Sequence, residues 1–303
     1  MTLDTGIAGL LTFMADAGQP PLHEGTPETA RLGFNTLAAL SVVDGGPIPC
    51  QVEETTVAGR PARVYRPDGA GPRPTVLFLH GGGWVIGDLD SHDQPCRRLA
   101  TDTGAVVVAL DYRLAPEHVF PAATEDALAA AREVAADLDS YGGDSRFGVA
   151  GDSAGGNLSA YVAQQVPEVM AQLLIYPSVD KAGDYASRIE NGKGYMLELE
   201  TMLWFLGHYV SGQVEPTDPR LSPMHGVRAG LPPAVVVTAG FDPLRDEGVA
   251  YADALESAGV RVERSHHDSL IHGFLDMGKF SPAADAAVAD MNARFADLLG
   301  STP

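Results

Sequence analysis

Short apolar segments alternate with helix-forming segments along most of this 303-residue chain. The apolar segments are mostly unbroken rather than alternating, as expected of parallel strands that helices cover on both faces. Repeated strand–helix units predict right-handed crossovers and a doubly wound α/β sheet of eight mostly parallel strands, the first two antiparallel. The predicted strands are 51–57, 62–67, 75–79, 105–110, 146–151, 172–176, 234–240 and 261–267, and the predicted helices are 91–103, 122–138, 154–166, 244–258 and 282–299.

Two regions fall outside this alternation. Residues 1–45 are helical by composition, and residues 181–225 separate two strands by far more than an ordinary connection. Together they would form a helical cap over the carboxyl edge of the sheet, but each could equally be a helical region packed on the core. We predict cap helices in 1–45, a core formed by 46–180 and 226–303, and a cap insertion in 181–225.

The charge of the chain excludes several classes of partner. Forty acidic and 20 basic residues give a formal net charge of −20, which repels nucleic acids, anionic membranes and acidic substrates. No apolar run reaches the roughly 18 residues that a membrane-spanning helix requires, and the first residues lack the basic start of a secretion signal. We therefore expect a cytoplasmic protein that binds no nucleic acid and does not insert stably into membranes.

The cysteines point to no special chemistry. Cys50 and Cys96 are the two cysteines of the chain. They provide neither a disulfide framework nor the spacing of metal ligands. We expect no metal ion and no organic cofactor.

The most specific motif is Gly151-Asp152-Ser153-Ala154-Gly155, which lies between the strand predicted at 146–151 and the helix predicted at 154–166. G-x-S-x-G at a strand-to-helix turn is typical of a nucleophile elbow. The turn strains the backbone of the nucleophile and brings the helix close to the strand, so its neighbours must be small. The amino terminus of the helix also favours negative charge that develops beside Ser153. We predict that Ser153 is a nucleophile.

A second motif, His80-Gly81-Gly82-Gly83-Trp84, follows the strand predicted at 75–79. Consecutive glycines expose backbone N–H groups. Acyl transfer needs such donors at the developing oxyanion, and the residue after the nucleophile commonly supplies another. We predict Gly81, Gly82 and Ala154 as the donors. A flexible glycine turn and a phosphate-binding loop are the alternatives, and the absence of a following G-K-[ST] argues against the phosphate-binding loop.

Asp242 and His272 complete the predicted constellation. Asp242 follows the strand at 234–240, and His272 follows the strand at 261–267. A serine hydroxyl becomes nucleophilic when an imidazole accepts its proton, and a carboxylate fixes the tautomer of that imidazole. The order Ser153, Asp242, His272 places each residue after a separate strand. We interpret the other nearby acids and histidines as structural, namely His80, Asp246, Glu247, His266 and His267.

These motifs resemble those of the hormone-sensitive-lipase family of α/β-hydrolases, which includes many bacterial carboxylesterases. The resemblance covers about residues 60–275 and includes HGGGW, GDSAGG, DPLRDEG and IHGF. It implies an α/β-hydrolase fold with a two-part helical cap, and it implies Ser153 as nucleophile, His272 as general base and Asp242 as the orienting acid. We also expect Trp84 and Asp152 to bind substrate. Homodimers are common among similar enzymes, so a homodimer is a further expectation.

The predicted reaction is hydrolysis of a carboxylic ester through an acyl-enzyme intermediate. A modest cap and an acidic surface favour short, uncharged acyl esters as the small-molecule substrate. A small-amide hydrolase or deacetylase with the same triad remains an alternative. A ligand-binding protein is another, since plant gibberellin receptors resemble this family but have lost a working triad. This chain has all three triad residues.

Overall fold

A single sheet of eight strands organises the computed structural model, which describes residues 2–18, 20–42, 46–69 and 71–301. The strands are β1 (Gln51–Val57), β2 (Arg60–Arg66), β3 (Thr75–Leu79), β4 (Val106–Leu110), β5 (Phe147–Asp152), β6 (Ala171–Ile175), β7 (Ala234–Phe241) and β8 (Val262–Ile271). Their order is β1-β2-β4-β3-β5-β6-β7-β8. Strand β2 is antiparallel to β1 and β4, and the other pairs are parallel. The predicted eight-stranded, mostly parallel sheet is confirmed.

Strand β8 is longer than predicted. The sequence pattern ended this strand at residue 267, because the run from His266 to Ser269 is polar. In the structure it continues to Ile271, and its pairing with β7 shifts register between Ala239 and Phe241. The extension places His272 directly at the carboxyl end of the edge strand.

Helices cover both faces of the sheet. The α-helices are α1 (Thr5–Asp16), α2 (Pro27–Ser41), α3 (Asp93–Thr103), α4 (Ala122–Ala136), α5 (Ala154–Gln165), α6 (Ser187–Glu190), α7 (Leu199–Tyr209), α8 (Arg245–Ser257) and α9 (Pro282–Leu299). Helices α3 and α9 pack on one face, and α4, α5 and α8 pack on the other. Every residue of β4 is consequently less than 5% exposed, which explains why its sequence is uniformly apolar. No helix in the described part of the chain is long and apolar enough to span a bilayer.

Helices from the two regions that fall outside the strand–helix alternation, 1–45 and 181–225, lie against the loop that follows β3. From α2, Arg31 donates through Nε to the carbonyl oxygen of Val85 at 2.8 Å. From α7, Phe205 packs on the same segment. Nδ1 of His23 lies 3.0 Å from Oγ1 of Thr201, which joins the amino-terminal region to α7. These contacts are compatible with a two-part cap, and the division into cap and core stays a prediction.

Candidate active site

Ser153 occupies the tight turn between β5 and α5. Its backbone has φ 52° and ψ −113°, a conformation that residues with a side chain rarely adopt and that costs energy to maintain. Close packing holds the turn in place. A Cβ on Gly155 would lie 1.8 Å from the carbonyl oxygen of Leu79, and a Cβ on Gly151 would lie 2.5 Å from the same atom. The two glycines therefore allow α5 to begin directly against β3.

His272 connects Ser153 to Asp242. Its Nε2 lies 2.9 Å from Oγ of Ser153, and its Nδ1 lies 2.9 Å from Oδ2 of Asp242. Asp242 is fully buried, and its other oxygen accepts the N–H of Leu244 at 2.7 Å. The carboxylate is thus fixed in the orientation that makes Nδ1 of the imidazole a donor and leaves Nε2 to accept a proton. The structure brings the three predicted residues together.

The other acids and histidines of the motifs do not reach Ser153. Their side chains bond to other residues: Asp246 to Ser187, Glu247 to Arg188, His266 to Thr238 and His267 to Ser265. Asp246 and Glu247 lie in the first turn of α8, beyond the end of β7. The structural interpretation of these residues agrees with their contacts.

The glycine loop after β3 differs from the prediction at one position. The N–H of Gly81 donates to Oδ1 of Asp152 at 2.8 Å, so it is not free for an oxyanion. Gly82 and Gly83 have φ of 113° and 59°, and their N–H groups donate to no acceptor in the described ranges. Ala154 begins α5, and its N–H has no acceptor within the helix. The available donors are therefore Gly82, Gly83 and Ala154. The bond to Asp152 argues against the predicted role of Gly81, and Gly83 presents an N–H that the prediction did not include.

Asp152 supports the glycine loop, and its predicted contact with substrate stays a prediction. Its buried carboxylate also lies 3.3 Å from Nε2 of His92. Burial alone would raise the pKa of Asp152 and lower that of His92. The attraction between the two groups outweighs burial, so the pKa of Asp152 is lowered and the pKa of His92 is raised. The two side chains form a buried acid–histidine pair beneath the loop.

His80 is a second support of the same loop. Its Nδ1–H donates to the carbonyl oxygen of Gly81 at 2.7 Å, and its ring stacks on Tyr112 at a centroid distance of 4.2 Å. The hydroxyl of Tyr112 donates to the carbonyl oxygen of His80 at 2.7 Å. Burial lowers the pKa of His80 to about 4, so the ring is neutral at pH 7. These contacts match the structural role predicted for His80.

Trp84 continues the loop toward helix α7. Its indole stacks on the ring of Tyr209, with centroids 4.6 Å apart and planes 5° apart. The side chain of Phe205 lies beside Gly83, where an added Cβ would meet its ring at 2.2 Å. Trp84 itself is buried. Aromatic residues of α7 therefore pack directly on the glycine loop, and a contact between Trp84 and substrate stays a prediction.

Known proteins share this architecture. A sequence profile for the alpha/beta hydrolase fold matches residues 76–276. The chain is 42% identical over 273 residues to the carboxylic ester hydrolase LipN of Mycobacterium tuberculosis, covering 84% of this chain and 72% of LipN. It is 38% identical over 305 residues to the ethyl acetate hydrolase of Pseudomonas putida, covering 94% and 96%. The hyperthermophilic esterase of the archaeon Pyrobaculum calidifontis superposes with a TM-score of 0.91 at 39% identity, covering 98% and 99%.

Proposed function

The chain belongs to the α/β-hydrolase family, with motifs of the hormone-sensitive-lipase type, and from this premise we infer that it is a carboxylic ester hydrolase whose nucleophile is Ser153. The observation that supports this assignment best is the continuous contact from Oγ of Ser153 through His272 to the buried carboxylate of Asp242. The relatives described above are named as ester hydrolases or esterases.

In the proposed acylation step, Oγ of Ser153 attacks the ester carbonyl while Nε2 of His272 accepts the hydroxyl proton. The imidazolium that forms is stabilised by Asp242, because that carboxylate accepts the Nδ1–H. The carbonyl oxygen becomes negatively charged, and the N–H groups of Gly82, Gly83 and Ala154 are placed to donate to it. These donors need no reorganisation during the reaction, since Asp152 and His80 already hold the loop.

The second half of the reaction uses the same groups. His272 returns its proton to the leaving alkoxide, which departs as the alcohol. A water molecule then gives its proton to His272 and attacks the acyl carbon bound to Ser153. Collapse of this intermediate releases the carboxylic acid and restores the serine hydroxyl.

Short acyl esters are the proposed substrates. Helix α7 packs on the glycine loop through Phe205 and Tyr209, which limits the space beside the oxyanion donors. The Pseudomonas putida relative is named for hydrolysis of ethyl acetate, a two-carbon acyl ester. Both observations favour a small acyl group over a long one.

A series of 4-nitrophenyl esters from acetate to palmitate tests the proposal. We expect the highest kcat/KM at short acyl length, and we expect Ser153→Ala to lower kcat by ~10⁴ or more. Ser211→Ala, which changes an exposed serine, is the matched control and should retain wild-type activity. Retention of a tenth of the activity in Ser153→Ala would exclude this residue as the nucleophile.

The same assay separates the alternative functions. A 4-nitroanilide with the preferred acyl group should be cleaved far more slowly than the matched ester, and faster cleavage of the anilide would favour an amidase. Release of no nitrophenol from any short ester would favour a ligand-binding protein.

A further inference from the structure

Lys181 is a cation with incomplete pairing close to the proposed nucleophile. Its Nζ donates to Oγ of Ser178 at 2.6 Å and lies 3.9 Å from Oε1 of Glu247. An ammonium has three N–H donors, and Ser178 is their one hydrogen-bond acceptor among the residues that the structure describes. The side chain is 14% exposed, so it is largely but not completely removed from solvent.

The nearest carboxylate is already engaged. Oε2 of Glu247 accepts a hydrogen bond from Nη2 of Arg188 at 2.6 Å, and Oε1 accepts the N–H of Val179 at 2.8 Å. Glu247 is therefore neutralised mainly by Arg188, and its distance from Lys181 is too long for a hydrogen bond. Burial lowers the pKa of Lys181 even though Glu247 opposes that shift. An additional anion beside Lys181 would stabilise its charged form.

The position of Lys181 links it to both sides of the proposed catalytic centre. Its Nζ lies 5.6 Å from the ring centroid of Trp84, which directly follows the glycine loop. Its partner Ser178 donates its backbone N–H to the carbonyl oxygen of Ser153 at 3.2 Å. The side chain of Asn157, in the first turn of α5, donates to the carbonyl oxygen of Ser178 at 2.7 Å. The ammonium is thus held between the oxyanion loop and the strand end that flanks the nucleophile.

We propose that Lys181 forms a subsite for a carboxylate on the substrate, so that the enzyme prefers esters bearing a carboxylate over neutral esters of the same length. This inference rests on the proposed ester hydrolase function. It refines the sequence-based expectation of uncharged substrates, which was derived from the total charge of −20. That charge acts over the whole surface and is screened beyond about 8 Å at physiological salt. A hydrogen bond between an ammonium and a carboxylate acts at contact and is stronger than one between neutral groups.

Matched pairs of ethyl esters in a pH-stat test the subsite. Monoethyl succinate, glutarate and adipate are compared with ethyl butanoate, pentanoate and hexanoate, which have the same number of acyl carbons. A second arm compares the butanoyl ester of glycolic acid with ethyl butanoate, and it places the carboxylate on the alcohol side. The measured quantity is the ratio of kcat/KM for the charged ester to kcat/KM for its neutral partner.

Two substitutions at Lys181 and one control are required. Lys181→Met keeps the length of the apolar stem and removes the charge, and Lys181→Arg keeps the charge. Lys193→Met makes the same change of net charge at an exposed lysine. We expect Lys181→Met to lower the ratio about tenfold or more for at least one charged ester, as for loss of a hydrogen bond to a charged group. Lys181→Arg should retain most of the ratio, and Lys193→Met should leave it unchanged.

The outcomes separate this subsite from the proposed function. A ratio that stays the same in Lys181→Met for every pair would overturn the subsite, and so would an equal loss for charged and neutral esters. An equal fall of the ratio in Lys193→Met would also overturn it, because the effect would then come from net charge. Absence of hydrolysis of every ester, charged and neutral, by the wild-type chain would instead contradict the ester hydrolase function.

Discussion

The backbone N–H of Gly81 and the carboxylate of Asp152 are joined by a 2.8 Å hydrogen bond beneath the glycine loop. Asp152 immediately precedes the proposed nucleophile, so the bond ties the loop after β3 to the turn after β5. The same carboxylate oxygen lies 3.3 Å from Nε2 of the buried His92. The geometry between nucleophile and oxyanion donors therefore depends on the buried contact between Asp152 and His92.

Substitution of Asp152 should impair the chemical step more than substrate binding. Asp152→Asn keeps an oxygen that can accept from Gly81 but removes the charge opposite His92. We expect kcat to fall about tenfold with little change in KM, because oxyanion donors act mainly on the transition state. Asp152→Ala also removes the acceptor and should lower kcat about 100-fold. Steady-state kinetics on one neutral nitrophenyl ester measure both parameters. An increase in KM at constant kcat would point to substrate contact instead of loop positioning.

His80 should make the stability of the fold fall in mild acid. An unfolded histidine has a pKa of about 6.5, and burial lowers the pKa of His80 to about 4. The unfolded chain therefore binds the additional proton between these values. The part of the free energy of unfolding that depends on a neutral His80 is fully present above pH 6.5. It is lost as the pH falls toward 4. At pH 5 the expected loss in the free energy of unfolding is about 2 kcal/mol.

Urea unfolding at pH 8 and pH 5 measures this linkage. His80→Gln does not titrate and keeps a polar side chain of similar length. The decrease in stability between the two pH values should thus be smaller in this variant than in the wild type. His118→Gln removes an exposed histidine and should keep the wild-type pH dependence. Identical pH dependence in His80→Gln and the wild type would show that His80 is not the group responsible.

The convergence of Ser153, Asp242 and His272 could be predicted because each residue comes after a separate predicted strand. Parallel strands bring their carboxyl ends to one edge of the sheet, whatever the intervening segments do. Which of the three successive glycines have an N–H free to donate to an oxyanion could not be predicted in this way. It depends on which N–H the Asp152 side chain engages, and that contact is a property of the folded loop.

The contacts of Lys181 also could not be predicted from the sequence around it. Its neighbours Trp84 and Glu247 are distant in sequence, and they meet it through the path of the chain after β6. Similarly, the polar run from His266 to Ser269 obscured the true end of β8, because an edge strand tolerates polar side chains on its exposed face.

Gly83→Ala should disable the glycine loop. Gly83 has φ 59°, and an added Cβ would lie 2.2 Å from the ring of Phe205. The substitution combines backbone strain with a steric collision, so we expect kcat/KM to fall about 100-fold or more. Gly207→Ala, within α7, meets no atom within 4 Å. It should preserve activity and stabilise the helix by up to about 1 kcal/mol. Wild-type activity in Gly83→Ala would show that the loop and Phe205 accommodate the added Cβ, and would contradict this prediction.

Glu247 provides a test of the assignment of the catalytic acid, since it follows Asp242 closely in sequence. It is fully buried and bonded to Arg188 at 2.6 Å and to the N–H of Val179 at 2.8 Å. Glu247→Gln leaves the partly buried guanidinium of Arg188 without its counter-charge and should destabilise the fold by about 3 kcal/mol in urea unfolding. Glu256→Gln breaks an exposed pair with Arg264 and should change the stability far less, because exposed ion pairs are screened by solvent. Asp242→Asn changes a residue that contacts His272. It should lower kcat about 10⁴-fold and change the free energy of unfolding less than Glu247→Gln does. A stable Glu247→Gln variant with kcat lowered to that extent would transfer the role of the triad acid from Asp242 to Glu247.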